Sequence, residues 1–206
     1  VISLDCEKLT GEYEEAKELG IKTKPVVIGP YTMLKLCRYV GSKNAEDFAD
    51  DVAEAYRQLI AECDEENVEW LQFDEPSLVR DMDDDDKALF HRVYDRVFAD
   101  RADCKILLQT YFGDVRDVYE DIINMPFAGI GLDFIEGKQT GQLIDGYGFP
   151  GDKVLFAGLV NGKNIWRNHY DKTLKVVGQL HDKKIDVVLS TSCSLLHVPY
   201  TLCLLY

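Results

Sequence analysis

Short apolar runs alternate along the chain with longer stretches in which apolar residues recur every three or four positions. The runs are PVVIG from Pro25, VEWLQFDEP from Val68, KILLQTYF from Lys105, AGIGLDFIEG from Ala128, KVLFAGLVNG from Lys153 and IDVVLSTSC from Ile185. Several are apolar on both faces and rich in β-branched residues, which predicts strands of a parallel sheet covered by helices. Between them, Phe48, Val52, Tyr56, Leu59 and Cys63 form a helical stripe, with Asn44 as its predicted N-cap. Phe90, Val93, Tyr94 and Val97 form a second stripe, and Tyr170, Leu174, Val177 and Leu180 a third. Leu9, Tyr13, Ala16 and Leu19 predict an opening helix that stops at Gly20.

The predicted order is a helix, five strand–helix units and a last strand, which is an α/β fold. A doubly wound sheet and a TIM barrel both fit this order. Strand ends favour the barrel: GPYT, DEP, QTYFGD, DFIEG, NGKN and STSCS are polar or glycine-rich, as residues converging on a barrel mouth would be. No GxGxxG or GxxxxGK[ST] follows a strand, which argues against a nucleotide-binding sheet. The expectation is an incomplete (β/α)8 TIM barrel with about six of eight units, the two others lying on the N-terminal side. Residues 1–206 are read as part of this one domain. Such a barrel leaves open sheet edges, which predicts a dimer or dependence on further sequence.

Composition narrows the function. With 23 basic against 37 acidic residues the net charge is −14, which repels phosphate backbones and excludes nucleic acid as a partner. No apolar run reaches the ~18 residues of a membrane span, and the first residues lack a secretory pattern. The chain does not open on Met, so a fragment or a processed form is expected. Cys6, Cys37, Cys63, Cys104, Cys193 and Cys203 are scattered without a CxxC pair, which reads as reduced cytoplasmic thiols. The acidic run MDDDDK, Met82 to Lys87, is read as a solvated loop favouring the positive end of the next helix.

Candidate chemistry gathers at the strand ends. Asp74 and Glu75 project to opposite sides, so one could act as acid, base or acceptor for a ligand amine. The alternative has Asp74 capping a turn and Glu75 paired with Lys or Arg. Thr110 and Tyr111 could hydrogen-bond a ligand, although packing suits Tyr111 better. Asp133 ends another strand. Asn161, Asn164 and Arg167 could bind a carboxylate, or Asn164 could cap a helix with Trp166 in the core. Ser192, Cys193, Ser194 and His197 close the last strand. One thiol and one imidazole fall short of the three or four ligands zinc needs, and a Cys–His nucleophile pair would lack an orienting third group.

Five stretches, KPVVIGPYTMLKL, VEWLQFDEPSLV, LLQTYF, AGLVNGKNIWR and STSCSLLHVP, resemble in this order the cobalamin-independent methionine synthase family, and more narrowly its N-terminal domain. The resemblance runs from Lys24 to about Tyr200. It implies a methyltransferase of two face-to-face barrels that moves a methyl group from 5-methyltetrahydropteroyltriglutamate to homocysteine. The C-terminal barrel holds the catalytic zinc and both substrates, and the N-terminal barrel is a metal-free brace. Its basic residues for the folate polyglutamate tail would lie upstream of Val1. The resemblance therefore implies a catalytically silent segment with no cofactor of its own, whose partner is the C-terminal catalytic barrel. It also makes SCSLLH the degenerate counterpart of a metal-binding strand end. Two rivals stand beside it. One is a stand-alone barrel methyltransferase of corrinoid-dependent or uroporphyrinogen-decarboxylase-like type. The other is a non-catalytic module for a separate catalytic barrel.

Overall fold

The computed structural model describes residues 2–197. The chain divides into two compact units: the first runs to Ser77 and includes Asp81–Leu108, and the second is Leu78–Arg80 with the chain from Gln109 onward.

In the first unit, helix α1 (Glu7–Glu18) precedes strand β1 (Val26–Ile28), and α2 (Pro30–Leu36) follows it after a single residue. Helix α3 (Ala49–Glu65), strand β2 (Trp70–Asp74), helix α4 (Asp84–Val97) and strand β3 (Lys105–Gln109, whose last residue belongs to the second unit) complete it. The strands neighbour one another in chain order, with β1 parallel to β2 and Ile28 opposite Asp74. The predicted stripe of α3 is buried at Val52, Tyr56, Leu59 and Cys63, and that of α4 at Phe90, Val93, Tyr94 and Val97. Each such side chain contributes about 1.5–3 kcal/mol on burial, so these two helices anchor the unit. The acidic run is not a loop throughout: Asp83 caps α4 by accepting the Asp86 N–H at 2.9 Å, and Asp84, Asp85 and Asp86 form the helix's first turn, where their charge favours its positive end as expected.

Two expectations fail here. Asn44 is not the N-cap of α3, because it pairs reciprocally with Asp47 and the chain makes a further turn before Ala49. The stripe of α1 buries no residue, and Leu19 is 70% exposed. Beneath α1 lies an apolar cavity of about 720 Å³, bounded by Leu9 and Tyr13 on one side and Val27, Tyr56 and Leu59 on the other. Gly20 does stop α1, with φ +73° and its N–H on the Lys17 carbonyl.

In the second unit, α5 (Tyr119–Asn124), β4 (Gly129–Asp133), α6 (Thr140–Tyr147), β5 (Val154–Val160), α7 (Tyr170–Asp182) and β6 (Asp186–Thr191) follow one another. Strands β4, β5 and β6 are parallel and again lie in chain order. Strand β4 is buried throughout, the pattern of a strand covered on both faces. The base of this unit is tied by Lys153, whose buried ammonium donates to the Met125 carbonyl at 2.7 Å and to that of Phe127 at 2.9 Å. Burial pulls its pKa below the ordinary lysine value.

Each unit carries one uncovered apolar edge. Val26 and Ile28 of β1 are 50% and 51% exposed. In the second unit Leu189 of β6 is 54% exposed and Leu174 of α7 66%, so only Leu180 of that helix's predicted stripe is fully buried. No helix of the described residues is long and apolar enough to cross a membrane.

Candidate functional site

At the strand ends of the first unit, Asp74 and Glu75 diverge as strand geometry requires. Asp74 is half-buried and accepts from Gln72 Nε2 at 2.7 Å, and its carbonyl accepts the Gly29 N–H. Glu75 turns inward and is fully buried. Its Oε1 accepts the Tyr31 N–H at 3.0 Å and the Tyr94 hydroxyl at 2.6 Å, and its Oε2 accepts the Thr32 N–H at 2.7 Å. The alternative of a lysine or arginine partner for Glu75 is therefore wrong. Backbone amides at the start of α2 take that place, and burial outweighs them and pushes the carboxyl up to about 7. Gly29 permits this arrangement, since a Cβ there would lie 2.2 Å from Glu75 Oε1.

In the second unit the ends of β3, β4, β5 and β6 hold the remaining candidates. Thr110 is buried and donates its hydroxyl to the Gly131 carbonyl at 2.8 Å. Tyr111 packs edge-on against Phe112, 4.9 Å between ring centres. Asp133 is buried and grips three backbone amides, those of Phe112 at 2.9 Å, Ile135 at 2.7 Å and Glu136 at 3.0 Å. Burial raises its pKa despite these donors. It holds Phe112 at φ +75°, a conformation that bulky residues rarely adopt.

Asn161 folds its own turn, accepting the Lys163 and Asn164 N–H groups at 2.9 and 3.1 Å. Beneath that turn lies the Ser192–Cys193 segment. Ser192 Oγ accepts the Gly162 N–H at 3.1 Å, and a Cβ on Gly162 would lie 2.4 Å from the Cys193 carbonyl oxygen. Cys193 is buried, and its thiol pKa is raised, first by that burial and further by Asp133 and Glu136, against the opposing pull of Ser192 and Lys163. A thiol held protonated is a poor nucleophile and a poor metal ligand. Ser194 accepts the Leu196 N–H at 3.3 Å, and His197 closes a 3-10 turn, with its side chain outside the described residues. Among the described residues, no group of three or more His, Cys, Asp and Glu is gathered as a metal ligand set.

In the second unit the structure thus brings Asp133, Asn161, Ser192 and Cys193 together, whereas Asn164 and Arg167 take neither of the roles expected of them. Asn164 caps no helix, because α7 begins only at Tyr170. Arg167 lies over the Tyr170 ring at 5.8 Å, and Trp166 is 74% exposed rather than in the core. Sequence reading missed Phe112 and Glu136. Lys163 stands 5.7 Å from the Phe112 ring centre and 3.7 Å from Glu136 Oε1, which makes a small charged and aromatic surface above Asp133. The sequence signal for Phe112 and Glu136 was their place in the strand ends QTYFGD and DFIEG, facing Lys163 of NGKN. Among the described residues no buried side-chain nitrogen or oxygen lacks a hydrogen-bond partner. The inward polar groups of these strand ends are engaged in holding the loops.

Comparison with known proteins adds the lineage. Residues 1–185 match the family model described as cobalamin-independent synthase, N-terminal domain. The chain is 52% identical over 200 residues to the 5-methyltetrahydropteroyltriglutamate–homocysteine methyltransferase of Streptococcus thermophilus, covering 97% of this chain and 26% of that protein. It is 50% identical to the enzyme of the same name from Lactococcus lactis, over 98% of this chain and 26% of the relative. The chain therefore spans about a quarter of the length of these curated relatives. A B12-independent methionine synthase from Shewanella, solved with selenomethionine, superposes with a TM-score of 0.71 at 15% identity, over 97% of this chain and 62% of that one. The fold is thus α/β of the (β/α)8 barrel type, incomplete, and the chain belongs to the cobalamin-independent synthase family, within its N-terminal domain.

Proposed function

We propose that this chain is a segment of the supporting, non-catalytic barrel of a methyltransferase that moves a methyl group from 5-methyltetrahydropteroyltriglutamate to homocysteine, forming methionine. The observation that carries the reading is the state of the last strand end. Cys193 is buried, held as a thiol and wedged under the Asn161–Gly162 turn, so the position serves packing. The match to the N-terminal domain of the family supports the same division of labour. Zinc belongs, in this reading, to the C-terminal catalytic barrel. Among the described residues no three His, Cys, Asp or Glu side chains gather as a ligand set, Cys193 is held as a thiol, and Asp133 is taken up by three backbone amides, so these residues do not fit the metal.

The partner is that catalytic barrel within the same enzyme, which works in the cytoplasm and takes homocysteine and the folate polyglutamate as substrates. The exposed apolar residues of β1 and of β6 favour association through open sheet edges, and in isolation these edges bring two copies together. Elemental analysis against protein concentration tests the division of labour. Zinc well below one per chain is expected. One tightly held zinc per chain would overturn the reading and bring forward a stand-alone barrel enzyme.

A further inference from the structure

Glu75 is a sealed carboxylate with no cation. It is wholly buried, and each charge-compensating partner is a dipole: the Thr32 hydroxyl, the Tyr94 hydroxyl of α4, and the Tyr31 and Thr32 amides of α2. Thr32 Oγ1 meanwhile accepts the Ser77 N–H at 3.1 Å, so one cluster ties the end of β2 to the start of α2. Such donors suit an ionised carboxylate, whereas full burial without a counter-charge suits a neutral one. The conflict is resolved most cheaply by letting water in, and the element in the way is short: α2 has seven residues.

We propose that Glu75 is a proton-operated latch: neutral, it stays sealed beneath the first turn of α2, and ionised, it favours a local opening of that turn that hydrates the carboxylate. The flanking groups do not supply the titration. Tyr31 on α2, Tyr56 on α3 and Tyr94 on α4 all have hydroxyl pKa values raised by burial, so they remain neutral at physiological pH. Asp86 and Asp83 of the α4 start face Tyr31, and Asp86 is paired with Lys35 of α2 at 2.5 Å. On the other side Asp74 lies against Gln72 and within reach of the Lys24 charge.

The direction follows from linkage. Glu75 titrates near 7 when sealed and near the ordinary 4.5 when open. The sealed state is therefore favoured most below pH 4.5, loses that advantage as pH rises towards 7, and changes little above. Amide hydrogen exchange on the whole chain tests this. Protection factors at Tyr31 and Thr32, corrected for intrinsic exchange, should fall by roughly tenfold to a hundredfold between about pH 5 and pH 8. Thr110, whose N–H binds the Gly131 carbonyl, should stay level. In Glu75→Gln, a neutral side chain of the same shape, the slope should vanish. A flat wild-type profile overturns the proposal, and so does a slope that survives in E75Q. If E75Q does not fold, NMR titration of the 13C-labelled Glu75 carboxyl alongside Tyr31 and Thr32 amide exchange in the wild type decides: loss of protection that tracks the ionisation of Glu75 upholds the latch, and protection that stays level while Glu75 ionises overturns it.

Discussion

Gly162→Ala separates a packed strand end from an open site. The added methyl would lie 2.4 Å from the Cys193 carbonyl oxygen and 3.1 Å from both its nitrogen and its sulfur. Ordinary contact begins near 3.4 Å, so the overlap with backbone oxygen is about 1 Å, and a carbonyl cannot rotate aside as a side-chain tip can. One of the two turns must shift, which stretches the Gly162 N–H to Ser192 Oγ bond as well. Overpacking of this kind costs about 1–3 kcal/mol and the hydrogen bond about 1 more. A loss of about 2–4 kcal/mol is expected in urea unfolding. Gly178→Ala is the matched control: it lies inside α7 with nothing within 4 Å of the methyl it would gain, so the same chemical change should stabilise by about 0.5–1 kcal/mol. A G162A protein within about 0.5 kcal/mol of wild type would show that the two turns are not interlocked, and the packing role assigned to Cys193 would fall.

Other expectations follow from single side chains. Lys153→Met keeps the apolar stem and removes both bonds to the Met125 and Phe127 carbonyls, so unfolding in urea should show a loss of about 2–4 kcal/mol. Because the Lys153 pKa is lowered in the fold, its charged form is disfavoured there, and its contribution to stability grows as pH rises from the folded pKa towards the unfolded 10.5. K153M should flatten that alkaline rise, and an unchanged slope would count against it. Thiol labelling at neutral pH, read by mass spectrometry, should modify exposed Cys37 first. Buried Cys63, Cys104 and Cys193 should react only on unfolding, since burial raises all three thiols and pushes Cys63 and Cys104 up to about 12. Fast native labelling of Cys193 would contradict its place under the turn.

The six strands were legible because each is an apolar or β-branched run closed by polar residues; burial on both faces accounts for that pattern in β4, whereas β1 and β6 carry it with apolar residues exposed. The longer helices α3 and α4 were legible through their stripes. Shorter α2, α5 and α6 were not: α2 continues the apolar run of β1, α5 has six residues, and α6 contains Gly141 and Gly146. The stripes of α1 and α7 are real in sequence but lie uncovered, because a period records what a helix can bury and not what is present to cover it. The strand-end polar residues were found by type and position, yet their roles were not legible. Whether Glu75 meets a lysine or two amides depends on how closely α2 approaches, which Gly29 allows and no local pattern announces. Phe112 was missed because its left-handed backbone is imposed by Asp133, twenty-one residues away.

The most direct measurement of the central claim is methionine formation by the purified 206-residue chain, supplied with homocysteine, 5-methyltetrahydropteroyltriglutamate and zinc. The account predicts no methionine above the protein-free blank, because among the described residues no strand end presents a reactive thiolate or a metal set. Sustained turnover that scales with protein concentration would contradict it and place the chemistry in the residues assigned here to support.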